Sequence, residues 1–132
     1  WKGIHRILPD PATTGKAYAV LFGEAGGLFV STDRGTTWTR LLGDEYLKAV
    51  AVSPAHPAII YVTSSSSTCC GGDPTQARGI LRSTDNGQTW VTVNEGMAWN
   101  FGGPIAIHPA KPELVWVGSP GTGFQWRIFH DP

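Results

Sequence analysis

Charge is scarce in this sequence. Asp, Glu, Lys and Arg together make only 15% of the 132 residues, below the usual quarter, and the two signs balance at ten each. A chain with no net field does not gather phosphates, which argues against a nucleic-acid partner. Long apolar runs are missing as well: none approaches the 18 residues of a membrane-spanning helix, so no membrane partner is expected. No charged segment followed by an apolar one opens the sequence, so any signal peptide has been removed or never existed. Stretches free of helix breakers are rare too, since 17 Gly and 10 Pro punctuate the chain. What is present is 41% apolar residues and six Trp, enough for a core and against disorder. The length is that of one domain, or a piece of a larger protein, and buries about 68% of its unfolded surface.

Cysteine is limited to Cys69 and Cys70. Neighbouring Cα atoms lie about 3.8 Å apart, less than the roughly 4.4–6.8 Å of a relaxed disulfide. Three readings stay open: two ordinary thiols in a Gly-rich loop, a strained vicinal disulfide, or a bond to chain not present in this sequence. Neither C-x-x-C nor zinc spacing occurs, and His5, His56, His108 and His130 show no metal spacing. No metal site, no cofactor and no Ser-His-Asp set is expected.

A repeat dominates the remainder. Gly27-Leu28-Phe29-Val30-Ser31-Thr32-Asp33-Arg34-Gly35-Thr36-Thr37-Trp38 returns 52 residues later as Gly79-Ile80-Leu81-Arg82-Ser83-Thr84-Asp85-Asn86-Gly87-Gln88-Thr89-Trp90. A second signature precedes each copy, a Pro followed seven positions later by an aromatic: Pro11 to Tyr18, Pro54 to Tyr61 and Pro109 to Trp116. Pro11 to Asp33 is 22 residues and Pro54 to Asp85 is 31, so the second unit carries a nine-residue insertion, placed in Ser64–Arg78. That insertion, with its four Ser and Cys-Cys-Gly-Gly run, is expected to be the least ordered part of the chain. In the third unit Phe129-His130-Asp131 is at best a degenerate copy of the box.

Each unit reads as four short strands; in the second they are Lys48–Ser53, Ile59–Thr63, Gly79–Ser83 and Thr89–Val93. Four strands repeated at about 50 residues is the arithmetic of a β-propeller blade. A parallel β-helix is the competitor, but its repeats are shorter and need no hairpin at a fixed place. The expected fold is all-β, a β-propeller fragment of about two and a half four-stranded blades. Its units cover about 3–46, 47–103 and 104–132, the last incomplete.

Within the box, Asp33 and Asp85 are expected to accept hydrogen bonds from the backbone just after them. Gly35 and Gly87 supply a left-handed backbone, and Ser31 and Ser83 bond into the same turn. Trp38 and Trp90 are expected to bury their rings against the next sheet. The two Asp occupy the same place in successive units and so lie on different blades. They read as turn locks rather than a catalytic pair.

Ser31–Trp38 and its copy resemble the Asp-box, or BNR repeat. The Pro-to-aromatic spacing is similar to that of seven- and eight-bladed Asp-box propellers, which include xyloglucan-active glycoside hydrolases, sialidases, sortilin-type sorting receptors and photosystem assembly factors. The resemblance covers nearly the whole chain and implies a seven- or eight-bladed parent fold. Sialidase chemistry would imply an Arg in a Phe/Tyr-Arg-Ile-Pro motif, and Arg127-Ile128-Phe129 has no such Pro. Xyloglucan hydrolases would imply Asp residues in an Asp-x-Gly-Gly context, which neither Gly71-Gly72-Asp73 nor Gly43-Asp44-Glu45 matches.

Antiparallel order places the Pro turns and the boxes on one face and the long connections on the other. The second face carries 22–26, 42–47, 64–78, 94–103 and 119–124, where binding usually sits on a rigid scaffold. The candidate ligand residues there are Asp44, Glu45, Tyr46, Asp73, Glu95, Trp99 and Phe101, with Glu24 and Phe124 on the same face. Carboxylates beside exposed rings suit a polysaccharide or oligosaccharide, since rings stack on sugar faces and paired carboxyls cleave glycosides. Trp99 reads either as an inter-blade plug or as a ligand platform. The expected protein is secreted or periplasmic and carbohydrate-active; a non-catalytic protein- or peptide-binding propeller is the alternative. Both end faces read as apolar, so the remaining blades of a parent chain, or self-association, should cover them.

Overall fold

The computed structural model describes residues 2–66, 75–119 and 123–128. Eleven strands form three antiparallel sheets in chain order among these residues. The first holds β1 (Lys2–Pro9), β2 (Ala17–Gly23), β3 (Gly27–Ser31) and β4 (Thr39–Gly43). The second holds β5 (Leu47–Val52), β6 (Ile60–Ser64), β7 (Gly79–Ser83) and the two-residue β8 (Val91–Thr92). The third holds β9 (Ile105–His108), β10 (Lys111–Ser119) and β11 (Gly123–Ile128). Both four-stranded sheets run as simple meanders, and every pairing is antiparallel, which excludes the parallel β-helix.

The sheets stack as blades around an axis near their first strands. Strand β1 touches β5 and β5 touches β9, whereas β4 and β8 touch only strands of their own sheet. Tyr18, Val20 and Leu28 of the first sheet bury against Leu47, Val50, Ile60, Val62 and Leu81 of the second. Ile59, Tyr61 and Ile80 on the other side of the second sheet bury against Val115 and Val117 of the third. A central blade covered on both sides explains why β6 and β7 are buried along their whole length. The fold is thus all-β, a β-propeller fragment.

The two boxes fold alike. Ser31 donates its hydroxyl to Asp33 Oδ1 at 2.8 Å and accepts the Gly35 N–H at 2.8 Å. Asp33 accepts the Thr37 N–H at 2.8 Å and the Thr37 hydroxyl at 2.6 Å. Ser83, Asp85, Gly87 and Thr89 repeat the set at 2.8, 2.8, 2.9 and 2.6 Å. Thr37 and Thr89, through hydroxyl and N–H, with the Ser hydroxyls, hold each carboxyl down at about 2. Gly35 and Gly87 take φ of 88° and 87°, the left-handed turn position.

Trp38 corrects the expected burial: it is 39% exposed, whereas Trp90 lies against the cluster between the first two sheets. Each indole N–H bonds the Gly carbonyl of its own turn, at 3.1 and 3.0 Å. The difference lies in the neighbour. The Gly87 turn sits on the preceding sheet so closely that a Cβ there would be 2.8 Å from Leu41 Cδ1, while the Trp38 turn meets no preceding sheet among the described residues.

A second turn lock went unread in the sequence. The residue before each Pro caps that turn: Asp10 Oδ1 accepts from the Ala12 and Thr13 N–H at 2.9 Å, Ser53 Oγ from His56 at 3.1 Å, and His108 Nδ1 from Ala110 at 3.1 Å. Burial alone would raise the Asp10 carboxyl, but the Ala12 N–H and the Lys16 ammonium 3.1 Å away keep it below its ordinary value.

Candidate functional site

The long connections gather on one face, as strand alternation requires, and the backbone laces them together. Gly23 N–H donates to Glu45 O at 2.8 Å, Ser65 N–H to Tyr46 O at 2.9 Å, and Gly102 N–H to Ser64 O at 2.8 Å. Thr63 adds a buried hydroxyl bond to Gly103 O at 2.6 Å. One continuous rim therefore runs across all three sheets. The second sheet's excursion between Ser64 and Gly79 replaces the tight connection that the first closes between Leu21 and Gly27, which is where the insertion was placed.

The start of that insertion differs from the expectation of little to bury. Ser64, Ser65 and Ser66 are all buried, wedged where the three sheets meet. Cys69, Cys70 and Asp73 lie outside the described residues.

The candidate residues separate by environment. The Asp44 side chain is nearly enclosed: Oδ1 accepts the Tyr46 N–H at 2.8 Å and Oδ2 lies 3.7 Å from Arg78 Nη1. Oδ2 itself makes no hydrogen bond among the described residues. Glu45 and Glu95 are exposed. Tyr46 is half-buried, edge-on to Phe22 at 6.0 Å. Phe101 is half-buried, while Trp99 is 57% exposed. The plug reading of Trp99 is thereby corrected, because Met97 is the residue of this connection that reaches the core between the second and third sheets.

The sequence reading missed a cavity of about 340 Å³ on the axis side of this rim. His5, Arg6, Lys48 and Ser65 line it, together with Ala49 and the Gly102–Pro104 backbone. The Phe22 ring organises its wall: His5 stacks on it at 4.9 Å and the Lys48 ammonium lies 3.8 Å from its centroid. Burial, and repulsion from Lys48, push the His5 imidazole below its ordinary value. Among the described residues no group of three or more His, Cys, Asp or Glu is placed to hold a metal ion. No helix there is long and apolar enough to cross a membrane.

No family model matches the chain, and no curated protein sequence matches it significantly. Solved structures do. The GH74 xyloglucanase from Xanthomonas campestris matches with a TM-score of 0.70 at 21% identity, over 94% of this chain and 19% of that one. The GH74 enzyme of Niastella koreensis matches at 0.71 and 16% identity, over 96% of this chain and 21% of that one. An ancestral GH74 enzyme matches at 0.65 and 15% identity, over 98% and 18%. The chain spans about a fifth of the length of each of these proteins. At these identities the likeness is one of fold: a propeller fragment built like part of the GH74 structures.

Proposed function

We propose that this chain is part of a secreted or periplasmic Asp-box propeller that acts on polysaccharide through its long-connection face. Its blades are units 3–46, 47–103 and 104–132, with the remaining blades supplied by a parent chain. Trp99 carries the reading: a large ring 57% exposed on the functional rim of a fold shared with GH74 enzymes, one of them a xyloglucanase. Such a ring offers a flat apolar face on which a sugar ring can stack. Glu45 and Glu95 are the open carboxylates on the same rim.

A second reading, a glycan- or peptide-binding propeller without hydrolysis, draws support from Asp44, whose carboxylate is committed to a turn and to Arg78. A panel of xyloglucan and β-glucans separates the two. Release of reducing ends that is lost in Glu45→Gln or Glu95→Gln supports hydrolysis. Binding without cleavage, weakened by Trp99→Ala, supports the lectin-like form. Failure to bind any glycan refutes the carbohydrate reading and leaves the peptide one.

A further inference from the structure

The cavity beside Phe22 is built from the same position of three successive blades. Aligned on the capped Pro turns, His5, Lys48 and Gly103 each stand six residues before the Pro, and Arg6, Ala49 and Pro104 stand five before it. All six line the cavity. The pairing registers explain the convergence. The β1–β2 ladder slips between Ile4 and Arg6, and the β5–β6 ladder slips between Leu47 and Ala49. His5 and Lys48 are therefore the extra residues of equivalent β-bulges on the first strand of each blade. A bulge turns its extra residue out of the ladder and re-aims it, and bulges concentrate at functional rims. Here each lies on the first strand of its blade, next to the axis, and both bulged residues are nitrogen bases.

Arg6 completes a wall of His, Arg and Lys, and no Asp or Glu lines the cavity among the described residues. In a chain whose charges balance overall, this is a local concentration of positive potential. The ammonium of Lys48 is set against the Phe22 ring face, 3.8 Å from its centroid, a cation–π placement that fixes its position. Opposite these bases the floor is flat and poor in side chains, formed by Gly102, Gly103 and Pro104. Close approach is a requirement there, because a Cβ on Gly102 would stand 2.6 Å from Thr63 Cβ. The volume falls at the lower end of small-ligand cavities, roughly 300–1,000 Å³, enough for a sugar unit or two.

We propose that this cavity is an anion subsite that takes the carboxylate of an acidic sugar residue, so that the glycan this face prefers is a uronic-acid-containing chain rather than a neutral one. The inference rests on the carbohydrate reading above and names its substrate class. Arg6 offers the planar fork suited to a carboxylate and Lys48 supplies charge beside it, while the His5 imidazole, held toward its neutral form by burial and by Lys48, supplies a hydrogen-bonding edge. The floor receives the sugar ring, and Phe22 backs the wall by holding His5 and Lys48 in place.

The test is calorimetric titration of the 132-residue chain with oligogalacturonate and, separately, with neutral xyloglucan oligosaccharide. The acidic glycan is expected to bind about tenfold more tightly at low salt and to lose that advantage as salt screens the wall. Arg6→Gln, at an exposed position, should remove most of the preference for the acidic glycan over the neutral one. Lys48→Gln should do the same, and thermal midpoints report whether each variant is folded. Equal affinity for both glycans, untouched by Arg6→Gln, overturns the inference and leaves the carbohydrate reading intact. Inorganic phosphate or acetate binding as tightly as oligogalacturonate marks an adventitious ion only and also overturns it. No binding of either glycan overturns both readings together.

Discussion

Leu47 and Ile4 occupy the same place in successive blades, each just before the bulge of its first strand. Leu47 is fully buried between the first two sheets, whereas Ile4 is 63% exposed. Truncating each to Ala removes a similar side chain from one fold position in two environments. For Leu47→Ala the lost transfer energy adds to a cavity that its neighbours Val50, Val62 and Leu81 cannot fill, so the cost should be about 3 kcal/mol. Ile4 hides roughly a third of its surface, so the same change should cost about 1 kcal/mol or less. Urea denaturation followed by Trp fluorescence reads both, at a dilute and a concentrated protein level. Ile4, Ile7 and Trp38 expose apolar surface on the first blade, as Trp116 and Phe124 do on the third. The isolated chain should therefore associate, and the cost of Ile4→Ala should grow with concentration. In a parent protein whose preceding blade covers this face, Ile4→Ala should cost as much as Leu47→Ala. Two results would refute the reasoning. One is a mild Leu47→Ala, which would mean that the sheets do not bury one another. The other is an Ile4→Ala equally costly in a dilute sample shown by sedimentation to be monomeric.

Asp85→Ala should lower the urea midpoint while a folded sample keeps any glycan affinity; a stable variant that has lost binding would contradict the turn-lock role. Because the Asp33 and Asp85 carboxyls sit at about 2, below their ordinary value of 3.8, their contribution is fully present above the ordinary value and is lost as pH falls toward 2. Acid titration of the wild type should show this loss, and Asp85→Ala should flatten it. Gly102→Ala should destabilise by roughly 1–3 kcal/mol, since the new methyl meets Thr63 where the second and third sheets join; an unchanged midpoint would show that the floor is loose. His108→Ala should cost about 0.5–1.5 kcal/mol by removing the acceptor for the Ala110 N–H, and His108→Asn should recover most of it. Equal midpoints for the two variants would dismiss the cap.

The repeat was legible because its signals are local. Ser-Thr-Asp-x-Gly-x-Thr-Trp ties its own turn within eight residues, so its meaning does not depend on the rest of the chain. Strand positions in the second unit follow from the same cause, with β8 shorter than expected because Asn94 takes over the edge: its Oδ1 accepts the Ile80 N–H and its Nδ2 donates to Arg78 O, both at 2.8 Å. Trp38 shows where local reasoning stops. Its turn copies that of Trp90 bond for bond, yet its burial depends on a sheet that the turn cannot specify. The Pro-turn caps escaped because Asp10, Ser53 and His108 share no residue type, only a short side chain with an acceptor. The surroundings of Asp44 were not legible either, since only the fold brings Arg78 beside a carboxylate whose other oxygen is tied to its own turn. The cavity was hardest to see. A bulge has no fixed composition, and His5, Lys48 and Gly103 become comparable only once the Pro turns set the alignment.

That alignment also explains why the axis-facing position is where this fold can vary. Leu47, one residue before its bulge, is constrained to be apolar by the preceding blade, and the box residues are constrained by their own turn. A bulged residue belongs to neither set. It leaves the ladder, so His5 and Lys48 differ at equivalent bulges of two blades built on the same register. The equivalent position of the third sheet, Gly103, has no such freedom, because a Cβ there would stand 2.8 Å from Gly118 O. Two nitrogen bases and a Gly thus give the cavity side chains on two blades and bare backbone on the third. Overall neutrality conceals this, because a formal charge of zero counts residues and not their positions. The recognition of an acidic glycan would be set by the spacing of two bulges and the Gly103 backbone beside them, which no single segment of the chain contains.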